Sequence, residues 1–343
     1  MTSNLPPLAK PTPVREMRGV SADDFHQTIV PTSQPVIFRG LVADWPAVRA
    51  GAESDEALFA HLAGFDQQQP VTTLVSDPEA GGRFFYNADL TGFNFRSGVA
   101  RLQKSFDFLL ANRDEPRAAG LAVQSIGTNA HLPGFGEANP SSLLDPAVEP
   151  RLWIGNRVTI AAHQDPYENL ACVVAGRRRF TLFPPGSVGD LHIGPFERTP
   201  GGPTISMVSF DDPDLERHPR FARAMEAALV AELEPGDALY IPYLWWHHVR
   251  SLEPVNVLTN YWWSSPVEDR GPPHDAFLNA VLALRDLPDA HRAAWKTLFD
   301  HYVFGEREAA TAHLPAAAQG ILGALTPEEA RRLRRKLGQQ MQS

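Results

Sequence analysis

Short strand-like runs separated by turn residues fill residues 120–265, and they constrain the fold more than any other feature of the sequence. Glycine, proline or aspartate interrupts the apolar or alternating pattern between consecutive runs. Strands this short and this closely spaced are typical of a β-barrel or β-sandwich. The predicted strands are 121–126, 152–161, 169–174, 179–183, 204–210, 238–241, 246–251 and 256–263.

Helical periodicity appears on both sides of this β region. Thr326 followed by Pro327 has the composition of a helix start, with the threonine as N-cap. The predicted helices are 20–29, 53–63, 98–112, 275–287, 291–302 and 328–342, and further strands are predicted at 35–40, 70–75 and 83–86. We therefore predict an N-terminal lead-in (1–30), a mainly β domain (31–265) and a C-terminal helical region (266–343).

The composition disfavours a nucleic-acid-binding, disulfide-bonded or membrane-spanning protein. A formal net charge of -9 disfavours non-specific nucleic-acid binding, which needs a basic surface. Cys172 is the single cysteine, so an intrachain disulfide and a cysteine-rich zinc site are excluded, as suits a reducing compartment. No run reaches the ~18 apolar residues of a membrane helix, and the first residues lack the apolar stretch of a secretory signal. We expect a cytoplasmic protein that binds neither membrane nor nucleic acid.

His163 and Asp165 form the sharpest local motif. Residues i and i+2 of a strand project to the same face, so this imidazole and carboxylate would hold one metal ion from one side. A third ligand would come from His247 or His248, which face opposite sides if both lie in one strand. The spacing does not choose between them. Two histidines and one carboxylate form the facial triad of non-haem Fe(II) oxygenases.

Further motifs resemble the JmjC/cupin-like Fe(II)- and 2-oxoglutarate-dependent oxygenases, especially the branch that contains the hypoxia-inducible-factor asparaginyl hydroxylase. The matching pieces are His163-Gln164-Asp165, Asn169 and the segments 176–179, 182–185, 236–242, 245–248 and 260–262, with 35–46 resembling the start of the domain. The likeness covers most of residues 30–265. It implies a double-stranded β-helix core, also called a jelly roll or cupin fold.

The resemblance also implies the chemistry of the site. Fe(II) would be held by His163, Asp165 and His247, and 2-oxoglutarate would be the co-substrate. With molecular oxygen, such an enzyme hydroxylates a C–H bond and releases succinate and CO2. The substrate class stays open between a protein, a peptide, an amino acid and a small molecule. A C-terminal helical region forms a dimer interface in some relatives, which suggests a homodimer here.

Co-substrate contacts follow from the same resemblance. Arg178 takes the position of the basic residue, usually lysine, that anchors the far carboxylate of 2-oxoglutarate, with Arg177 and Arg179 as alternatives if the register differs. Asn169 and Asn260 match positions that line the co-substrate pocket. Thr159 is the nearest candidate for a hydroxyl-bearing residue that usually precedes the first metal ligand.

Two positions depart from the family pattern. Ala122, with Gln124 nearby, stands where the family has a pocket tyrosine, so the pocket is expected to be reshaped. Thr204 and Ile205 stand where the asparaginyl hydroxylase has an arginine and a glutamine that position its target amide. The same asparagine target in the same pose is therefore not expected.

Two other interpretations remain open from the sequence. A cupin-like hydrolase or isomerase would use the same three ligands for another divalent metal, because ligand affinity alone does not select Fe(II). A catalytically inactive cupin-like binding or scaffold protein would keep the fold without turnover.

Overall fold

The computed structural model describes residues 8–264 and 270–340, and the chain divides into two compact units, Met1–Ser264 and Ser265–Ser343. The predicted boundary at 265–266, the first seven residues of the lead-in and the end of the helix predicted at 328–342 lie outside the described residues.

The first unit carries the β structure. Its strands are β1 (Thr12–Pro13), β2 (Arg15–Met17), β3 (Val36–Phe38), β4 (Val71–Ser76), β5 (Arg83–Phe84), β6 (Phe95–Ala100), β7 (Gly120–Gly127), β8 (Pro150–Gly155), β9 (Thr159–His163), β10 (Glu168–Ala175), β11 (Arg178–Phe183), β12 (Leu229–Leu233), β13 (Ala238–Ile241), β14 (Trp246–Ser251) and β15 (Asn256–Trp263).

These strands form two sheets. The larger has the order β2-β3-β13-β10-β15-β8-β7-β4-β6 and the smaller has the order β1-β12-β11-β14-β9-β5. From β8 onwards, each connection crosses from one sheet to the other, except the connection from β11 to β12. This winding produces a double-stranded β-helix, and the predicted fold class, mainly β with a jelly-roll core and a helical C-terminal region, is confirmed.

The central strand β10 of the larger sheet is buried on both faces. Ala171 and Val173 belong to the apolar cluster between the two sheets, while Leu170 and Cys172 belong to the cluster that contains the helices. Because successive residues of a strand face opposite sides, a continuous apolar run is the expected sequence of such a strand. The helices of this unit are α1 (Ala22–Asp24), α2 (Pro46–Glu53), α3 (Asp55–Ala63), α4 (Leu102–Ala111), α5 (Thr128–His131), α6 (Phe135–Ala138) and α7 (Phe221–Glu226).

Several predicted elements differ from the structure. The strand predicted at 152–161 is two strands, β8 and β9, which lie in different sheets. The strand predicted at 204–210 is wrong, since only isolated bridges join Ile205 to His163 and Ser206 to Ile193. No strand was predicted for β12, although it pairs with β11 along its length. β6 was not predicted either, and its residues 98–100 fall in the helix predicted at 98–112, which begins at Leu102.

The second unit is helical where it is described, with α8 (Pro273–Leu284), α9 (Asp289–Tyr302), α10 (Arg307–Thr311) and α11 (Pro327–Gln340). Thr326 caps α11 as predicted: its Oγ1 accepts a hydrogen bond from Glu329 N, and Glu329 Oε2 accepts one from Thr326 N. Large apolar side chains such as Leu282 and Phe304 are exposed on this unit. Self-association through it stays a prediction. No helix among the described residues is both long and apolar enough to cross a membrane.

Candidate metal centre and co-substrate cavity

The metal-binding candidates come together at one end of the smaller sheet. His163 ends β9 and pairs directly with His247 on β14, and Asp165 follows β9 by two residues. One ligand atom from each residue lies within 4.8 Å of the other two, and His247 Nε2 is 3.5 Å from Asp165 Oδ2. Within the described ranges, no other group of three His, Cys, Asp or Glu side chains has this spacing.

Backbone carbonyls orient both imidazoles. His163 Nδ1 lies 2.9 Å from Ala161 O, and His247 Nδ1 lies 3.1 Å from Trp245 O. A carbonyl only accepts, so each Nδ1 carries the proton and each Nε2 keeps its lone pair for a metal ion. This arrangement is the one that metal-ligating histidines usually show.

The electrostatics of the site also suit a cation. Burial, together with the charge of His247, lowers the pKa of His163 to about 4, so its imidazole is neutral at pH 7. Burial by itself would raise the pKa of Asp165, but the contact with His247 and the charge of His163 outweigh it and lower this pKa. His163 therefore offers a neutral nitrogen, and Asp165 offers a negative oxygen.

His248 faces away from the triad, as strand alternation requires of one of the two neighbours. Its ring stacks on Phe210 with a centroid distance of 4.3 Å and an angle of 10°. Burial and the charges of Arg83 and Arg250 lower the pKa of His248 to about 3. His248 is therefore a neutral packing residue on the outer side of the smaller sheet.

A cavity of about 180 Å³ extends from the triad between the two sheets. Apolar side chains form most of its wall, and a few polar groups converge on it, as in most small-molecule sites. Besides the triad, its lining includes Gln124, Trp153, Ile160, Asn169, Arg178, Phe180, Ile205, Val249, Leu258, Asn260 and Trp262.

Arg178 is the charged residue of this wall. It shares the inward face of β11 with Phe180 and Leu182, and it is 7% exposed. It makes no ion pair with any described residue, and its Nε is a buried donor without a hydrogen-bond partner. Burial lowers the pKa of Arg178 to about 10, which still leaves it charged at pH 7.

The neighbours of Arg178 project to the opposite side. Arg177 Nε donates to Glu253 Oε1 at 2.6 Å, and Arg179 Nε donates to Glu232 Oε1 at 2.7 Å. Both arginines are exposed and paired. The register thus brings Arg178, of the three consecutive arginines, into the cavity.

A comparison with known protein families agrees with this fold and cavity. The sequence model of the cupin-like domain family matches residues 22–269. This is more than half of the chain. The chain belongs to the cupin-like domain family. The resemblance to JmjC/cupin-like proteins is confirmed, whereas the branch of the asparaginyl hydroxylase is not specifically shown.

Several curated proteins are similar to this cupin-like chain. Lysine-specific demethylase 8 of Xenopus tropicalis is 32% identical over 76% of this chain and 55% of its own length. Lysine-specific demethylase JMJ31 of Arabidopsis thaliana is 27% identical over 75% of this chain and 50% of its own length. HSPB1-associated protein 1 of Homo sapiens is 38% identical over 33% of this chain and 23% of its own length. The chain thus spans about half, or less, of the length of these relatives.

Asn169 and Asn260, which the family resemblance assigned to the co-substrate pocket, both line the cavity and are buried. Asn260 Nδ2 lies 3.4 Å from Asn169 Oδ1. The two amides therefore form a pair on the larger sheet, opposite the triad strands of the smaller sheet.

Thr159 does not reach this cupin cavity. His247 pairs with His163, but Val249 pairs with Ile160, so β9 has one more residue than β14 over this interval. The bulge turns Ile160 inward, and Thr159 lines a separate surface cavity with Arg157. Counting residues back from the first ligand cannot detect such a bulge.

Ala122 also lies outside the cavity wall, in an apolar cluster with Leu74, Phe84 and Val158. Gln124 lines the cavity instead, next to a bulge in β7 where Ser125 has a φ of 45°. Sequence reasoning did not assign the cavity positions of Trp153, Pro200, Gly201 and Pro203. Ile205 does line the cavity, as expected for the position it takes in the resemblance, whereas Thr204 does not.

Proposed function

We propose that this chain is an Fe(II)- and 2-oxoglutarate-dependent oxygenase that hydroxylates a C–H bond. The observation that carries the proposal is the buried, unpaired guanidinium of Arg178 in the same cavity as the His163, Asp165 and His247 triad. A buried charge without a partner is costly, so this position favours the arrival of an anion. A carboxylate fits a guanidinium with two parallel hydrogen bonds.

The register supports a co-substrate with a carboxylate at each end. Leu182 pairs with His247, and Arg178 lies four residues before Leu182 on β11. At about 3.3 Å per residue, the backbone of Arg178 is roughly 13 Å from the strand position of His247, and its side chain lines the same cavity as the triad. An elongated dicarboxylate such as 2-oxoglutarate would lie between the metal and the guanidinium.

The donor set supports Fe(II) at the other end. Two imidazole nitrogens and one carboxylate oxygen on one face leave positions for a bidentate co-substrate and for oxygen. Fe(II) held there would supply oxygen activation coupled to the decarboxylation of 2-oxoglutarate to succinate and CO2. The residues of this chain would bind and orient the reactants, and the apolar wall with Ile160 and Phe180 would limit access of water.

The substrate would approach along an aromatic surface. Trp262 lines the cavity, and the exposed ring of Tyr167 stacks on it at 5.7 Å and 21°. Such a surface suits an apolar chain or a cationic group. Because relatives are named as lysine-specific demethylases, peptides with N-methylated lysine are the first substrates to test, followed by unmodified peptides, amino acids and small metabolites.

The visible spectrum of anaerobic protein with Fe(II) and 2-oxoglutarate tests the co-substrate site. We expect a weak metal-to-ligand charge-transfer band that is lost in His247→Ala and weakened in Arg178→Met. His291→Ala and Arg179→Met are the matched controls, since both residues are exposed and lie outside the cavity. Iron binding without the band would favour a cupin-like hydrolase or isomerase. Absence of iron binding would overturn the proposal.

Turnover is tested separately by measuring succinate formation. We expect slow substrate-independent turnover that a true substrate accelerates. Formaldehyde release from a methylated peptide would show demethylation, whereas a mass gain of one oxygen would show stable hydroxylation. A protein that shows the band but converts no 2-oxoglutarate would be a binding protein and not an oxygenase.

A further inference from the structure

Trp153 makes a hydrogen bond inside the cavity that the metal site does not explain. It lies on β8 opposite Leu258 of β15, and its Nε1 donates to Asn260 Oδ1 at 2.7 Å. Asn260 in turn places Nδ2 3.4 Å from Asn169 Oδ1. The three side chains form one polar chain across β8, β15 and β10, in a wall that is otherwise largely apolar.

Trp153 determines the donor-to-acceptor direction of the hydrogen bonds that link these three side chains. An indole N–H only donates, so the atom of Asn260 that faces Trp153 must be the oxygen. The nitrogen of Asn260 then faces Asn169, whose oxygen accepts. Asn169 Nδ2 is left without a partner among the described residues and is not enclosed, so it is free to donate into the cavity.

We propose that Trp153 is a positioning residue that sets both amides with their N–H groups available to the co-substrate. The inference rests on the proposed function, because it concerns recognition of the 2-oxoglutarate carboxylates. With Trp153 in place, Arg178 and the two amides offer only donors to an anion. An amide turned by 180° has nearly the same shape but would present its oxygen to a carboxylate, which is repulsive.

The position of Trp153 suits this role. Its ring packs edge-on against Trp262 with a centroid distance of 5.8 Å and an angle of 74°. The indole therefore packs beside Trp262 while its Nε1 donates to Asn260. Among the described residues, no charged side chain bonds to either amide, so the tryptophan is the group that imposes the direction.

The substitution Trp153→Phe tests the proposal, because it removes the N–H and keeps an aromatic ring. Trp263→Phe is the matched control. Trp263 is the next residue after Trp262, but it faces the helical side of the sheet and packs on Tyr240 outside the cavity. Two readouts are needed: the dissociation constant of 2-oxoglutarate with Fe(II) under nitrogen, and the side-chain amide resonances of metal-free protein labelled with 15N-asparagine.

We expect Trp153→Phe to weaken 2-oxoglutarate binding roughly three- to tenfold, the effect of losing one oriented neutral hydrogen bond. The side-chain amide signals of Asn260 and Asn169 should shift or broaden in the same variant. Trp263→Phe should leave the affinity and both signals as in the wild type. Equal affinities in the two variants, or unchanged amide signals in Trp153→Phe, would overturn the proposal.

The two readouts also separate this proposal from the proposed function. If the wild type binds no 2-oxoglutarate, the function fails, and the role in co-substrate recognition fails with it. The amide signals would then still report whether Trp153 orients the asparagine pair. If the wild type binds 2-oxoglutarate and Trp153→Phe binds it equally well, the function stands and only the role of Trp153 is wrong.

Discussion

His163 and His247 are direct cross-strand partners on β9 and β14, and each places its Nδ1 at hydrogen-bonding distance from the carbonyl two residues before it. Because the same hydrogen bond occurs on two neighbouring strands, both Nε2 atoms are directed towards one point. Asp165, just beyond the end of β9, supplies the negative charge there. The two imidazoles are therefore positioned by the β ladder itself, and the carboxylate is the member that stands on a loop.

Removing that negative charge should abolish tight metal binding. In Asp165→Asn, the shape is retained, but a neutral amide oxygen replaces the carboxylate. Loss of groups that only support a ligand typically weakens metal affinity about 10- to 100-fold, so loss of a ligand should weaken it by at least roughly 100-fold. Anaerobic Fe(II) titration measures the change. Asp211→Asn, which removes an exposed carboxylate paired with Arg250, is the control. Equal Fe(II) affinity in Asp165→Asn and in this control would contradict the ligand assignment.

Arg178 should destabilise the folded, metal-free protein. Its guanidinium is buried and has no acidic partner among the described residues. We therefore expect Arg178→Met to raise the free energy of unfolding of the metal-free protein by about 1–3 kcal/mol, since an uncompensated buried charge is removed. Chemical denaturation measures this change.

The same variant should lose part of the stabilisation that a bound co-substrate gives. In metal-loaded protein, millimolar 2-oxoglutarate should raise the melting temperature of the wild type and of Arg179→Met, and should raise that of Arg178→Met less. A destabilised Arg178→Met would mean that the guanidinium has a partner that holds the fold together. A 2-oxoglutarate-induced rise in Arg178→Met as large as that in the wild type would mean that the anion binds elsewhere.

The candidate triad and the inward position of Arg178 could be predicted because they depend on features that a sequence displays. His163, Asp165 and His247 follow from strand alternation and family motifs, and Arg178 follows from its distance to Gly176. The structure resolves the two adjacent choices, His247 over His248 and Arg178 over its neighbours, through the pairing register. A register is a relation between distant segments, so local spacing alone could not supply it.

Thr159 and Ala122 lie outside the cavity wall for different reasons. Thr159 was placed by counting back from His163, and the bulge in β9 shifts which of its residues face inward. Ala122 was placed by the family resemblance, and it lies before the bulge in β7, in the apolar cluster with Leu74, Phe84 and Val158. The segment 204–210 alternates like a strand but makes only isolated bridges, which its sequence does not reveal. Trp153 was missed as a cavity residue because nothing local distinguishes it from an ordinary core tryptophan.

A tyrosine at position 122 should be tolerated poorly. Ala122 is buried in an apolar cluster with Leu74, Phe84 and Val158. We expect Ala122→Tyr to lower the free energy of unfolding by about 1–3 kcal/mol through overpacking. Gln124→Tyr should be less destabilising, because residue 124 borders open cavity space. Denaturant melts of both variants compare them directly, and a more stable Ala122→Tyr than Gln124→Tyr would show that position 122 faces the cavity after all.

A pair of histidines away from the metal site should make stability depend on pH. The rings of His192 and His218 lie 5.0 Å apart, and each has a buried nitrogen without a hydrogen-bond partner. Burial lowers the pKa of both, and the charges of Arg220 and Arg217 lower them further, while Asp190 and Asp214 oppose this effect only in part. Both histidines are therefore neutral in the folded protein at pH 7.

The sign of the pH effect follows from proton binding. Below about pH 6.5, the two histidines bind protons in the unfolded chain but remain neutral in the folded chain. The free energy of unfolding is therefore highest above pH 6.5 and declines as the pH falls. We expect His218→Gln to make this decline shallower, by at most about 1.4 kcal/mol per pH unit, the contribution of one proton. Urea denaturation of metal-free protein between pH 7 and pH 5 measures the slope. His291→Gln, which changes an exposed residue, should keep the wild-type slope. A His218→Gln slope as steep as that of this control would show that the pair is solvated and titrates normally in the folded protein.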